Sequence, residues 1–197
     1  MDKGLYTMDL YKNFQELAKN EQGNFEIECI DRGSNITIIA PHGGKIESYT
    51  TEIAKKIANN TFNYYSFIGR KNENNFKDLH ITSTNFNEPK ALNLVKKSEV
   101  VIAIHGCKDI KNYQDYGKHI FIGGRNKKLK DTLEKLLIAN NFSVNRDKFP
   151  GKEPNNICNQ GTTKAGIQFE LTYSFREDSN LRNKFINIIK NYLLKNL

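Results

Sequence analysis

The stretch IIAPHGGKIESYTTEIAKKIA, residues 38–58, decides the fold. It begins as an apolar β-branched run and ends with Ile53, Ala54, Ile57 and Ala58 on one face of a helix. A buried strand that runs straight into an amphipathic helix is a unit of an α/β sheet. The joint between them holds His42, Gly43, Gly44 and Glu47, an unusual set of residues for a simple turn.

Similar apolar runs recur outward from this unit. NITIIA, YYSFIG, EVVIAIHG, HIFIGG, FSV and GIQFELTYSF read as strands, mostly apolar and without clean alternation, as strands covered on both faces are. Helices are predicted over 51–60, over 88–97 with Ala91, Leu92 and Val95 together, and over 128–140 with Leu129, Leu133, Leu136 and Leu137. A last helix is predicted over 179–194, carrying Phe185, Ile186, Ile189, Tyr192 and Leu193. The expected fold is a single α/β domain spanning 1–197, with a mixed, mostly parallel central sheet flanked by helices. Residues 145–166 are polar and hold Pro and Gly, so they read as a long loop of the kind that often carries function.

The chain has 197 residues, 38% of them hydrophobic, and shows no low-complexity tract, which suits one folded domain. Thirty Lys and Arg against 22 Asp and Glu leave a formal charge of +8, which favours an anionic partner: nucleic acid, a membrane surface or an acidic polymer. The basic residues are scattered as pairs and singles, which argues against a nucleic-acid arm and is equally the pattern of a solvated basic surface. The opening residues hold no apolar run of the signal-peptide kind, and no apolar stretch is long enough to span a membrane. The expectation is a protein made in the cytoplasm and kept soluble. Three cysteines without CxxC spacing indicate neither a disulfide framework nor a cysteine zinc knuckle. A bridge between Cys107 and Cys158 stays open.

His42 and His105 each close an apolar strand and are each followed at once by glycine. In open α/β sheets that edge is where ligands bind. Two histidines there and one carboxylate make the three-ligand set of a catalytic zinc with a fourth position open, and Glu47 is the natural third ligand, because Gly43 and Gly44 let the chain fold back tightly. Ser48 or Thr50 is placed to cap the following helix. The alternative is that each histidine is a loop residue bonded to backbone. Hydrolysis also needs a base, and Glu170 stands inside GIQFELTYSF; it is either an exposed strand residue or a carboxylate buried beside positive charge.

These segments together resemble the poly-γ-glutamate hydrolase family, zinc enzymes of phages and bacilli whose fold is similar to zinc carboxypeptidases. The matching stretches are APHGGKIE with TTEIAKKIA, LHITSTNFNEPKAL, VVIAIHG, FIGG, NICNQG and GIQFELT, in order from about residue 24 to 176. The resemblance implies one zinc held by His42, Glu47 and His105, with Glu170 as the general base. It implies hydrolysis of the γ-glutamyl amides of an anionic polymer, endo-acting, as in degradation of a bacterial capsule by a phage enzyme released on lysis. No nucleic-acid or membrane partner is implied, and a monomer is expected. Cleavage of other γ-glutamyl peptides, such as those of cell walls, and a basic nucleic-acid-binding module are the alternatives.

A substrate with a carboxylate on every residue suits arginine forks, and Arg176, Arg125 and Arg70, each just after a strand, are the candidates in that order. Lys45 is expected to face water. His80 either positions substrate or satisfies backbone groups in a turn. Asn159 either bonds substrate or organises an Asx turn. The chain departs from the family at Ser48 and Tyr49, where small residues are expected, and Tyr49 is placed to reshape the entrance. The four residues between His42 and Glu47 exceed the His-x-x-Glu spacing of typical carboxypeptidases.

Overall fold

The computed structural model describes residues 9–110 and 117–196; the opening residues 1–8, part of the stretch read for a signal peptide, lie outside them. Seven strands form one sheet: β1 Phe25–Ile30, β2 Ile36–Gly44, β3 Asn63–Gly69, β4 Val100–Cys107, β5 Ile120–Gly123, β6 Val144–Asn145 and β7 Ile167–Thr172. Their order is β1-β3-β2-β4-β7-β5-β6. Strands β3, β2, β4 and β7 run parallel, β6 runs parallel to β5, and β1 and β5 are antiparallel to their neighbours β3 and β7. The sheet is mixed and mostly parallel, as the strand patterns implied.

Helices cover both faces, which is why the central strands are apolar throughout. On one face α2 (Thr50–Ala58), α5 (Lys127–Ala139) and α7 (Ser179–Asn196) bury Ile53, Ile57, Leu129, Leu133, Leu137, Phe185 and Ile189 against Ile38, Ile104 and Phe169. On the other, α1 (Phe14–Asn20), α3 (Asn75–Leu79) and α4 (Pro89–Val95) set Leu17, Leu79, Ala91 and Leu94 against Ile39, Phe67 and Ala103. No helix among the described residues is long and apolar enough to cross a membrane.

The pattern reading missed β1, α1 and α3. Strand β1 is an antiparallel edge strand, FEIECI, whose alternation of Glu26 and Glu28 with apolar residues differs from the continuous runs of the buried strands. The run read as a strand through Phe175 stops at Thr172, and Tyr173–Glu177 form a short helix, α6, which turns the chain toward α7. The long loop 145–166 contains a 3-10 turn at Ile157–Gln160 that buries Ile157, Cys158 and Asn159. Neither Ser48 nor Thr50 caps α2: Tyr49 holds the cap position in a left-handed conformation, φ 73°. The Thr50 hydroxyl turns back to donate to the carbonyls of Glu47 and His42, at 2.7 and 3.1 Å. Cys107 and Cys158 are free thiols, and burial pushes the Cys158 pKa up to about 12.

Candidate metal centre

Pro41 has no N–H to give a ladder, and the pairing of β2 with β3 shifts register between Ala40 and Gly43. That bulge releases the chain where His42 leaves the sheet. Gly43 lies where a Cβ would run into the hydroxyls of Thr51 and Ser66, so α2 is seated directly on the bend. Gly44 then turns with φ +64°, and the Glu47 amide donates to the His42 carbonyl at 3.0 Å, closing a tight loop. His105 stands near the end of β4, the parallel neighbour of β2. The sheet thereby places two histidines and a carboxylate at one edge.

The ring nitrogens are aimed by protein partners. His42 Nε2 lies 2.8 Å from the Ile81 carbonyl, which can only accept, so this nitrogen carries the proton and the Nδ1 lone pair of the neutral ring faces inward. There it meets Glu47 Oε1 at 2.9 Å and His105 Nδ1 at 3.2 Å. His105 Nε2 is 3.2 Å from the Ser83 hydroxyl, and its Nδ1 is 3.7 Å from Glu47 Oε2. The Gly106 amide donates to that same oxygen at 2.7 Å. Burial alone would raise the pKa of Glu47, but hydrogen bonds from His42 and His105, and their charge whenever a proton rather than a cation sits between the rings and the carboxylate, hold it well below the ordinary carboxylate range.

His80, read from sequence as either a substrate-positioning residue or a turn residue, instead stands with the potential ligand group. Asp9 accepts from His80 Nδ1 at 3.0 Å and also takes the Thr82 amide at 2.7 Å. The His80 ring is thereby turned so that Nε2 faces Glu47 Oε1 at 4.0 Å. Burial and the nearby His42 lower its pKa, which keeps Nε2 available as a lone pair. His42, Glu47 and His80 each offer a ligand atom within 4.8 Å of the others. The signal missed was Asp9, 71 residues distant in sequence, which no local spacing reveals.

The donor set fits a zinc ion. Tetrahedral zinc with Zn–N bonds of about 2.0–2.1 Å sets its ligand atoms about 3.3 Å apart, near the 3.2 Å between the two Nδ1 atoms. A lone pair of neutral His42 facing a carboxylate is repulsive unless a cation or a proton lies between them.

Glu170 pairs in register with His105 across β4 and β7. Neighbours in register share a sheet face, so its carboxylate stands beside the histidine cluster. Burial, then the charge of Glu47, raises its pKa well above the ordinary value, and Arg176 opposes the shift. Arg176 itself is buried, 4% exposed, and donates to three backbone carbonyls: Leu171 at 2.9 Å, Cys107 at 3.1 Å and Ser48. Its guanidinium is committed to the scaffold beneath the centre.

The remaining residues separate. Arg70 follows β3 at the same sheet edge as the cluster, exposed and ion-paired with Glu26. Arg125 is also exposed but follows β5, which runs antiparallel, so it lies at the opposite end of the sheet. Lys45 is exposed, as expected. Asn159 is fully buried, donating to the carbonyls of Gly151 and Glu153 at 2.8 and 3.0 Å and accepting from the amides of Gly166 and Arg125 at 3.1 and 3.3 Å, so it organises the loop 145–166. Tyr49 stacks under the Arg182 guanidinium at 4.6 Å.

The chain is similar to several known proteins. UPF0714 protein YndL of Bacillus subtilis strain 168 is 36% identical over 178 residues, covering 88% of this chain and 68% of YndL. UPF0714 protein YmaC of the same strain is 35% identical over 175 residues, covering 86% of this chain and 71% of YmaC. Among solved structures, a bacteriophage poly-gamma-glutamate hydrolase superposes with a TM-score of 0.87 at 26% identity, covering 95% of this chain and 98% of its own. An apo, zinc-free YndL superposes at 0.84 and 31% identity with the same coverage. N-formylglutamate amidohydrolase from Ralstonia eutropha JMP134, 8% identical with a TM-score of 0.57, shares the fold. The profile of the poly-gamma-glutamate hydrolase family matches residues 11–189, nearly the whole chain, and this chain belongs to that family.

Proposed function

We propose that the chain is a zinc-dependent hydrolase that cleaves γ-glutamyl amide bonds inside poly-γ-glutamate. The observation that carries this reading is the convergence of His42 Nδ1, His105 Nδ1 and the Glu47 carboxylate, with Glu170 beside His105 on the adjoining strand. The zinc-free form described for YndL and the polymer named for the phage enzyme support the metal and the substrate.

One zinc per chain, held by His42, Glu47 and His105, with His80 Nε2 turned toward the same place, would supply a Lewis acid for the amide carbonyl and lower the pKa of water. Glu170 takes the proton from the attacking water and delivers it to the leaving amine. A carboxyl with a raised pKa is a stronger base when ionised, and the positive charge of Arg176 nearby keeps the ionised form within reach. The Ile81 carbonyl and Ser83 hold the two rings in place through each cycle, and Asp9 orients His80. Arg70 and Lys45, exposed at this edge, meet the substrate carboxylates.

Size-exclusion chromatography of long poly-γ-glutamate after incubation tests the reading. The expected result is conversion to short fragments that a chelator stops and added zinc restores. Polymer left intact by zinc-loaded protein overturns the substrate assignment.

A further inference from the structure

Beyond β5, the chain forms a pocket of about 370 Å³ lined by Gly124, Arg125, Lys127, Lys130, Arg146 and Lys152. Five cations from three separate segments face one concavity, and none of the lining residues is acidic. Two are fixed at its rim by ion pairs: Arg146 is gripped by Asp131 at 2.7 Å and by Glu134 at 2.5 Å, and Lys127 is 2.9 Å from Asp131. Lys130 is aimed by a 2.8 Å hydrogen bond from its Nζ to the Gly124 carbonyl. Among the described residues, no carboxylate comes within ion-pair distance of Arg125, Lys130 or Lys152.

This concentration of charge runs against local electrostatics. Lys127, Lys128 and Lys130 fall in the first turn of α5, where the helix dipole favours acids, and that turn holds none. Burial, then the charges of Arg146 and Lys152, lower the pKa of Lys130, while Asp131 and Glu134 oppose the shift. A local rule broken this way marks a place where an outside anion completes the balance.

We propose that this pocket is a second, non-catalytic docking site for carboxylates of the polymer substrate. It rests on the reading that poly-γ-glutamate is that substrate. The register of β5 on β7 pairs Phe121 with Glu170 and Gly123 with Gln168, so the rim at Gly124 lies roughly 10 Å from Glu170 along the strand, toward the end of the sheet opposite the histidine cluster, and only a polymer long enough to run past β7 engages both. The pocket admits a carboxylate-bearing side group, and its two arginines suit carboxylate geometry. It has no aromatic side chain on which a base could stack, which disfavours single-stranded nucleic acid.

The test is direct binding of fluorescently labelled long poly-γ-glutamate to the full chain carrying Glu170→Gln, with and without Lys130→Gln/Lys152→Gln, across a salt series. Labelled DNA of equal charge is run in parallel. The expected result is at least a five-fold weaker polymer affinity and a shallower salt dependence in the double variant, with its melting temperature retained. Lys152→Glu, at an exposed position, gives a second reading should the double variant fold poorly, and Lys152→Arg should restore affinity. Polymer affinity unchanged by these substitutions overturns the site, and so does DNA binding through the same residues with the polymer ignored. Polymer that binds through the pocket but is never cut by the wild type sinks the hydrolase reading alone.

Discussion

Gly106 lies flat against the guanidinium of Arg176, so close that a Cβ at this position would overlap it, while the Gly106 amide donates to Glu47 Oε2 at 2.7 Å. One residue without a side chain thus links the Glu47 carboxylate of the histidine cluster to the buried cation beneath it. Gly106→Ala should force Arg176 aside, destabilise the protein by about 1–3 kcal/mol and reduce activity. Chemical denaturation of the variant checks this, and unchanged stability would show that Arg176 has room to move.

Arg176 is a positioning residue, since its guanidinium serves three backbone carbonyls. Arg176→Lys offers a single head group to that set and should cost about 3 kcal/mol. If instead the variant keeps its stability and shows only a raised KM for polymer, Arg176 contacts substrate, as its sequence position suggests.

Glu170→Gln removes the carboxylate proposed as the base while leaving the histidine cluster in place. Turnover should fall about 10²–10⁴-fold while zinc content by elemental analysis stays at the wild-type level. His42→Ala and His105→Ala should lose both activity and metal. Near-normal turnover in Glu170→Gln would remove this residue from the role of base.

Glu21 is nearly buried, and burial would raise its pKa, yet hydrogen bonds from Lys71, Asn24 and Tyr11 hold it below the ordinary value of 4.5. A depressed folded-state pKa stabilises the fold above pH 4.5, and that contribution disappears as pH falls toward the folded-state value. Urea unfolding should therefore show wild type more stable than Glu21→Gln at pH 7, with the gap closing as pH drops below about 4.5. A gap that does not depend on pH would assign the difference to packing.

Asn159→Ala leaves the Gly166 amide and the Gly151 and Glu153 carbonyls of the loop 145–166, and the Arg125 amide outside it, without their buried partner. The loss should be about 3 kcal/mol, with faster proteolytic cutting inside the loop. Limited proteolysis followed by mass spectrometry locates the cuts.

The central strands and α2, α4, α5 and α7 were legible because apolar runs and helical spacing are local. The pairing of His42 with Glu47 was legible for the same reason, five residues apart and hinged on two glycines. His105 could be placed beside them because it too closes a strand. His80 was read as a substrate or turn residue and not as a potential ligand, because the residue that turns it inward, Asp9, is remote in sequence. Three arginines followed strands and looked equivalent; the antiparallel course of β5 and the burial of the chain after β7 sent them to three different environments. Strand direction and burial are tertiary properties, and a run of ten residues carries neither.

Because β2 and β4 are hydrogen-bonded neighbours as far as Ile39 and Ala103, the sheet delivers His42 and His105 to one edge, and the segment carrying Ile81 and Ser83 then holds the two rings. Glu47 is tied to the same frame through the amide of Gly106. Segments such as Ser48–Tyr49 and 145–166 can therefore diverge in length and composition without disturbing the cluster. Such an arrangement separates the chemistry from the choice of substrate. Relatives sharing about a third of their residues can then vary the segments around the cluster while the frame that carries it stays the same.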